Sequence, residues 1–408
     1  MSFSDQALLD LVQRQTLAYF WDFAHPTSGM ARERSNAVPG YNYLETVTTG
    51  GTGFGIMAML AGVSRGFLGR ASVFAHVRRV VAFLHQAESY HGVFPHFMAG
   101  TTGAAIAFSQ KDDGGDLVET SFLMMGLLCA RQFFSGSDAA EADLRNSIDR
   151  LWHAVDWKWH TNGREALYWH WSPRYGWDMD HVITGWNECL ITYVLAASSP
   201  THAISSVVYH RGWASSDTFS NGHSYHGITL PLGPSHGGPL FFSHFSFLGL
   251  DPRRLSDRYA NYWQQNRAHT LINRAHCIEN PSGFAGYGAE CWGLTASDGD
   301  AGYGAFCPRH DRGVIAPTAA LSAMPYTPEE SMRVLRHLYE NLGDLIWGRY
   351  GFIDAFNMSR NWFADSNLAI NQAPIVVMVE NYRSGLLWDL FMSCSEVRSA
   401  LHELAFSS

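Results

Sequence analysis

Residues 7–20, ALLDLVQRQTLAYF, place Leu8, Leu9, Val12, Leu17 and Phe20 close to a 3.6-residue period, which predicts an amphipathic first helix closing before the breakers Pro26 and Gly29. Comparable stretches at about 53–68, 73–90, 117–134, 140–156, 183–197, 253–275, 328–346 and 373–406 predict further helices, the last stretch holding two. Alternating patterns are few and short, with YNYLETVTT at 41–49 and HGITLPL at 226–232 the best of them. The predicted class is mostly α. Ten to twelve helices in an uninterrupted chain suggest helical hairpins closed into a ring, because closure buries inner faces that an open stack would leave wet. The loops at 157–182 and 276–314 would then gather at one end of the ring and build a cleft.

Composition sharpens this picture at a few points. At 408 residues the chain exceeds the size at which one core normally stops growing, yet no Pro/Ser-rich tract or charge block separates two halves and the 38 glycines are dispersed. One domain, 1–408, is expected. A hydrophobic share of 46% suits a well-buried protein, and no apolar run approaches the roughly 18–20 residues that span a bilayer. With a formal charge of -9 and scattered Lys and Arg there is no basic stripe for phosphates, so no nucleic acid and no membrane partner is expected, and neutral ligands fit better. Six cysteines lie far apart without a CxxC pair, which reads as free, mostly buried thiols. The N-terminus MSFSDQALLDLVQRQ lacks the regions of a secretory signal, so the chain as it reads is cytoplasmic, or periplasmic or secreted if trimmed.

The densest charge is DDGGDLVETSF at 112–122, where Asp112, Asp113, Asp116 and Glu119 run into an apolar helix. The glycines predict a loop, Asp116 a helix cap, and Glu119 the other half of a capping box, with the macrodipole favouring both acids by roughly 0.3–1 kcal/mol each. Asp112 and Asp113 are superfluous to that role. A calcium loop is one alternative, weakened because the bidentate Glu an EF-hand needs downstream is missing, and a cleft that handles a hydroxylated substrate is another.

Two further acids stand in apolar surroundings. Glu188, in TGWNECLITYVLAASSPTH at 184–202, falls early in an apolar helix, where its charged form is disfavoured and its pKa raised, as a proton donor requires. Asp354, in YGFIDAFNMSRNWF, sits among aromatic residues. Two carboxyls are what glycoside hydrolysis needs, although any chain of this length contains such pairs. The stretch DWKWHTNGREALYWHWSPRYGWD adds Trp157, Trp159, Trp169, Trp171 and Trp177, whose rings suit either a helical core or platforms for sugar C–H faces. Twenty histidines occur without an HExxH helix or a His/Cys quartet, so no metal is expected. TVTTGGTGFGIMAML at 46–60 is a weak phosphate cradle, and its glycines read better as tight packing at a helix start.

Taken in order, SGMARER, TTGGTGFGIMAML, RGFLGR, HGVFPHF, DDGGDLVETSFLMMGLL, GWNE, SSPTH, GPLFFSH, CWGLTASDG, YGFIDAFN and ENYRSGLLW resemble the bacterial glucoamylase-like family that includes endo-β-1,2-glucanases, over nearly the whole chain. The resemblance implies an (α/α)6 toroid and hydrolysis of β-1,2-glucan with anomeric inversion and no cofactor. It marks Glu188 as general acid, with proton delivery either direct or through a substrate hydroxyl. Asp112 and Asp116 become cleft acids, and Asp113, Trp157, Trp171, Trp177, Trp186, His202, Trp292 and Asn371 candidate substrate contacts. The family base is less plainly marked: AINQAP at 369–374 stands where typical members read IDQGP, and the amide of Asn371 cannot accept a proton as a base does. Asp354, with Asp112 as the other choice, is the expected base.

Overall fold

The computed structural model describes residues 3–407 and is mostly helical. Ser4 caps α1 (Asp5–Asp22) by accepting a hydrogen bond from the Ala7 amide. Then come α2 (Thr49–Ser64), α3 (Arg70–Leu84), α4 (Leu117–Phe133), α5 (Ala139–Ala154), α6 (Leu190–Ser198), α7 (Tyr262–Glu279), the short α8 (Pro317–Leu321), α9 (Pro328–Glu340) and α10 (Gly343–Ile346). The tail holds three helices, not two: α11 (Ala369–Arg383), α12 (Leu386–Met392) and α13 (Ser395–Glu403). Gly385, at φ +75°, breaks the first junction, since this left-handed backbone ends a helix cheaply only at glycine.

Other boundaries move for local reasons. The helix expected at 253–275 starts at Tyr262, where the Asn261 side chain accepts from the Gln264 amide. The one expected from 183 starts only at Leu190, because Gly185 turns left-handed (φ +76°) and the Asn187 side chain takes the Cys189 amide. Of the two expected strands, the first shrinks to β1 (Thr46–Thr48), which pairs antiparallel with β2 (Phe97–Ala99), itself paired with β3 (Ala105–Ile106). The second is a two-residue ladder, Ile228–Thr229 against Ser224–Tyr225.

α2 is buried on every side over its first fourteen residues, and its glycines lie within the helix instead of ahead of it. A Cβ on Gly53 would come within 2.2 Å of the Phe122 carbonyl oxygen, and one on Gly126 within 2.1 Å of the Gly53 oxygen, so α2 and α4 meet backbone to backbone. From there α4 packs on α6, α6 on the turn Ser246–Leu248, that turn on α11, and α11 back on α2; α1 packs on α2 and α11, α5 on α4, α13 on α6, and α12 on α2, α4 and α11. This circuit is irregular along 199–261, where the helical pieces among the described residues are short turns. Buried apolar side chains from Leu8 to Phe406 form one large cluster, beside a small separate one of Phe306, Val314, Ala316 and Ala355, and all six cysteines are free thiols. No helix among the described residues is long and apolar enough to cross a membrane.

The N-termini of α2, α4 and α11 and the turn before α6 bring Gly50, Glu119, Asn371 and Glu188 to the inner helices' starts. Over them fold the hairpin after β2 and the long loops. The first long loop carries β5 (Leu167–Tyr168), β6 (His170–Trp171) and β7 (Val182–Ile183), and β6 pairs with β4 (Gly115–Asp116).

Candidate active site

Asp116 joins a strand to a helix. Its Oδ1 accepts from the amides of Val118 (3.0 Å) and Glu119 (2.9 Å), the expected cap. Its Oδ2 lies 3.1 Å from His96 Nδ1, 3.3 Å from Trp169 Nε1 and 3.6 Å from His170 Nε2, while His170 Nε2 is 3.0 Å from Asp112 Oδ2. Burial opposes ionisation of Asp116, but hydrogen bonds from His170 and His96 outweigh it and hold the carboxyl well below the usual range. Burial likewise pulls both imidazoles down, and the facing carboxylates win: Glu119 and Asp116 lift His96 to about 9, and Asp112 and Asp116 lift His170 to about 9.

The capping box does not form. Glu119 turns away from its own helix and accepts the Gly50 amide at 2.7 Å, supplying an acceptor to the otherwise uncapped start of α2. Burial pushes its carboxyl up to about 7, against the pull of His96 and with the charge of Asp116 adding to the rise.

Glu188 sits in the turn before α6, 8% exposed, so the expected helix position is replaced by a tighter one. Its carbonyl accepts from the Ser246 hydroxyl, whose oxygen in turn accepts the Ile191 amide at 3.0 Å, and this locks the turn to the helix start. Burial raises the Glu188 carboxyl to about 7, partly offset by a backbone hydrogen bond and reinforced by the nearby charges of Glu119 and Asp116. Glu188 therefore lies within electrostatic reach of the Asp116 cluster.

A second acidic group surrounds Asn371 at the start of α11. Asp354, 2% exposed, accepts Asn371 Nδ2 at 2.8 Å on Oδ1 and the Asp298 amide at 2.7 Å on Oδ2. Burial pushes it up to about 7, with the Asp298 charge adding to the rise and the Asn371 hydrogen bond lowering it. Asp298 itself is paired by Arg34, at 3.2 and 3.3 Å, and by the Ser366 hydroxyl at 2.5 Å. Asn371 spends its other hydrogen on the Ala296 carbonyl at 3.0 Å. Between the groups stands Tyr303, 58% exposed, its phenol pushed up first by the protein mass around it and then by the carboxylates of Asp354, Glu33, Asp298 and Glu119. One side chain thus feels both clusters.

Several expected contacts lie elsewhere. Asp113 turns from Asp112 to accept the Ser172 hydroxyl at 2.5 Å, with Arg174 Nε at 3.4 Å, and ties down the loop instead of the cleft floor. Trp157, Trp186 and Trp292 are sealed at 0–2% exposure, Trp186 between Trp213 and Tyr262, and offer no face to a ligand. Trp171, Trp177 and His202 stay partly open but on another surface: successive residues of a strand point to opposite faces, so His170 reaches the acids while Trp171 packs on Tyr90, His91 and Trp159.

Other participants were not singled out from sequence. His96 and His170 pair with the acids, and Phe108, 56% exposed, stacks on His96 with centroids 4.4 Å apart. Arg34 and Asp298 buttress Asp354. The alternation HGVFPHF and YWHW beside an acidic run was the available signal.

His96, Asp112 and Asp116 bring three ligand atoms within 4.8 Å of one another, a spacing a cation could bridge. The donors already set on Asp116 Oδ2 meet its charge with hydrogen bonds, a better fit to a proton network than to a metal cage. Two carboxyls raised to about 7 beside a strongly ionised one form an arrangement able to donate and accept protons around a neutral ligand.

Comparison with known proteins identifies relatives of the whole chain. Residues 180–395 match the model of the glycoamylase family, described as "Putative glucoamylase". A crystal structure from Bacteroides uniformis ATCC 8492, described in the same words, is 55% identical with a TM-score of 0.97, covering 100% of this chain and 99% of that one. The endo-β-1,2-glucanase of Chitinophaga pinensis, solved with sophorotriose and glucose, is 51% identical with a TM-score of 0.97, over 100% of this chain and 99% of that one. The exo β-1,2-glucooligosaccharide sophorohydrolase (non-reducing end) of Parabacteroides distasonis is 46% identical over 98% of this chain, which spans only 58% of that relative's length.

Proposed function

This chain belongs to the glycoamylase family, and from that premise we propose that it is a glycoside hydrolase of β-1,2-glucan, endo-acting and inverting, with 1–408 as one catalytic domain. The observation that carries the reading is Glu188: a buried carboxyl within reach of the charges of Glu119 and Asp116, raised to about 7 and so still partly protonated at neutral pH. Glu188 donates that proton toward the glycosidic oxygen as the C–O bond breaks. Asp354, ionised, takes a proton from the water that attacks the opposite face of the sugar, and the hydroxyl formed there has the inverted configuration. Asn371 and the Asp298 amide favour the ionised form of Asp354 and leave lone pairs free for the water.

Asp112, held by His170, is the acid of this cluster left to bond sugar hydroxyls, while Asp116, sealed and fully hydrogen-bonded, fixes His96 and His170 and adds negative charge near the developing oxocarbenium ion. Phe108 supplies the exposed ring beside them. The endo mode is supported by the Chitinophaga pinensis relative, which this chain matches end to end. Incubation of β-1,2-glucan with the protein, followed by product sizing and anomer assignment by NMR, tests the proposal. A ladder of oligosaccharides with inverted ends is expected, and Glu188→Gln lowers the rate at least about a hundredfold. Sophorose as sole product would replace endo by exo action, phosphate dependence would mean phosphorolysis, and equal rates in Glu188→Gln would remove Glu188 from the acid role.

A further inference from the structure

A cavity of about 490 Å³ opens beside Trp159 and Trp177, edged by Asp156, Lys158, Asn162 and His202. It lies on the face of β6 opposite to the acids, because Trp171 packs edge-on against the lining residue Trp159 while His170 turns to Asp112. Nothing in the proposed chemistry uses it. Trp159 is 38% exposed, an unusual cost for an indole, and one face of its ring is covered by His91 at 3.9 Å and 16°. His91 is held there by a left-handed backbone (φ 53°), followed by Gly92, where a Cβ would meet the Ala154 carbonyl oxygen at 2.0 Å. The Trp177 ring is braced by His160 and Tyr168 and tilts 41° to Trp159 with centroids 6.1 Å apart. The Asp156 carboxylate caps the Trp159 amide at 2.9 Å and lies 3.5 Å from His202.

We propose that this cavity is a second glycan-binding site, separate from the acid-lined hollow, in which the braced rings of Trp159 and Trp177 take the C–H faces of a neutral sugar and Asp156, Asn162 and His202 bond its hydroxyls. Rings fixed before binding lose little freedom when a flat ligand lands on them, and a rim of mixed sign selects no net charge. The identity of the glycan as β-1,2-glucan rests on the proposed hydrolase activity. The site then holds a long chain while the hollow cleaves it, and a short oligosaccharide cannot use both.

The test is Trp159→Ala, read by retardation in native gels containing β-1,2-glucan and by turnover of a short β-1,2-glucooligosaccharide, with thermal unfolding to confirm the fold. Expected are binding to the long glucan weakened about fivefold or more and turnover of the short substrate unchanged. Asn162→Ala, which removes a rim amide, should weaken retardation in the same direction. Undiminished retardation in Trp159→Ala overturns the second site and leaves the hydrolase reading standing. If the wild type neither cleaves nor binds β-1,2-glucan, gels with other neutral glucans are run: Trp159-dependent retardation there keeps the site and sinks the substrate, and none anywhere sinks both.

Discussion

Removal of the Asn371 amide isolates the base from the rest of the site. Asn371→Ala deletes the hydrogen bond to Asp354 Oδ1, 2.8 Å long and buried, while the Asp298 amide still holds Oδ2. A hydrogen bond to a charged group is worth about 1.5–3 kcal/mol, and about 1.36 kcal/mol corresponds to one pKa unit, so the Asp354 carboxyl should climb roughly one to two units above its value of about 7. At pH 7 the ionised fraction then drops from about a half to between about a tenth and a hundredth, and kcat/KM falls roughly 5- to 50-fold. The deficit narrows as pH rises, since alkali ionises Asp354 in both proteins. A pH–rate profile from 5.5 to 9 decides it. A deficit constant across that range would mean that Asn371 acts on structure and not on the base. Activity above wild type in Asn371→Asp would make position 371 the base and displace Asp354.

Other expectations follow from the same geometry. Phe108→Ala, which removes an exposed ring and no core, should raise KM for β-1,2-glucooligosaccharides about three- to tenfold with little change in melting temperature, and an unaltered KM would dismiss the platform. Gly126→Ala forces a Cβ to within 2.1 Å of the Gly53 oxygen, so about 2–4 kcal/mol of stability should be lost in denaturant unfolding, with activity falling alongside. Stability should decline as pH rises above about 7. His96 and His170 bind protons more tightly folded than unfolded and lose that advantage between about 6.5 and 9, whereas below about 6.5 the loss at Glu119, Glu188 and Asp354 is opposed by His76, His160, His244 and His269, which are buried neutral and gain as pH rises. Melting temperatures that climb from pH 7 to 9 would contradict these shifts.

The helical class was legible because period-3.6 patterns survive wherever one helix face is buried, as in α1 and α5. Boundaries failed where side chains or left-handed turns decide them, at Asn187, Asn261 and Gly385, none of which leaves a mark in hydrophobicity. Glu188 and Asp354 could be picked out as acids in apolar company, and both are buried. Asp113 could not be told from Asp112 without knowing that Ser172 would arrive from a strand some sixty residues on. Glu119 was assigned to its own helix because local capping is what sequence spacing reports, whereas its partner, Gly50, comes from the neighbouring helix. The tryptophan cluster was visible as composition, but strand alternation decides which face each ring takes, and core packing claims Trp157.

Where Gly53 meets Gly126 no side chain stands between α2 and α4, so at that point the two helices cannot slide without breaking main-chain packing. The acids at their common end are bolted to the frame. Whatever adjustment a bound sugar demands must then come from the rim: the hairpin carrying Phe108 and the glycine-flanked loop carrying Tyr303.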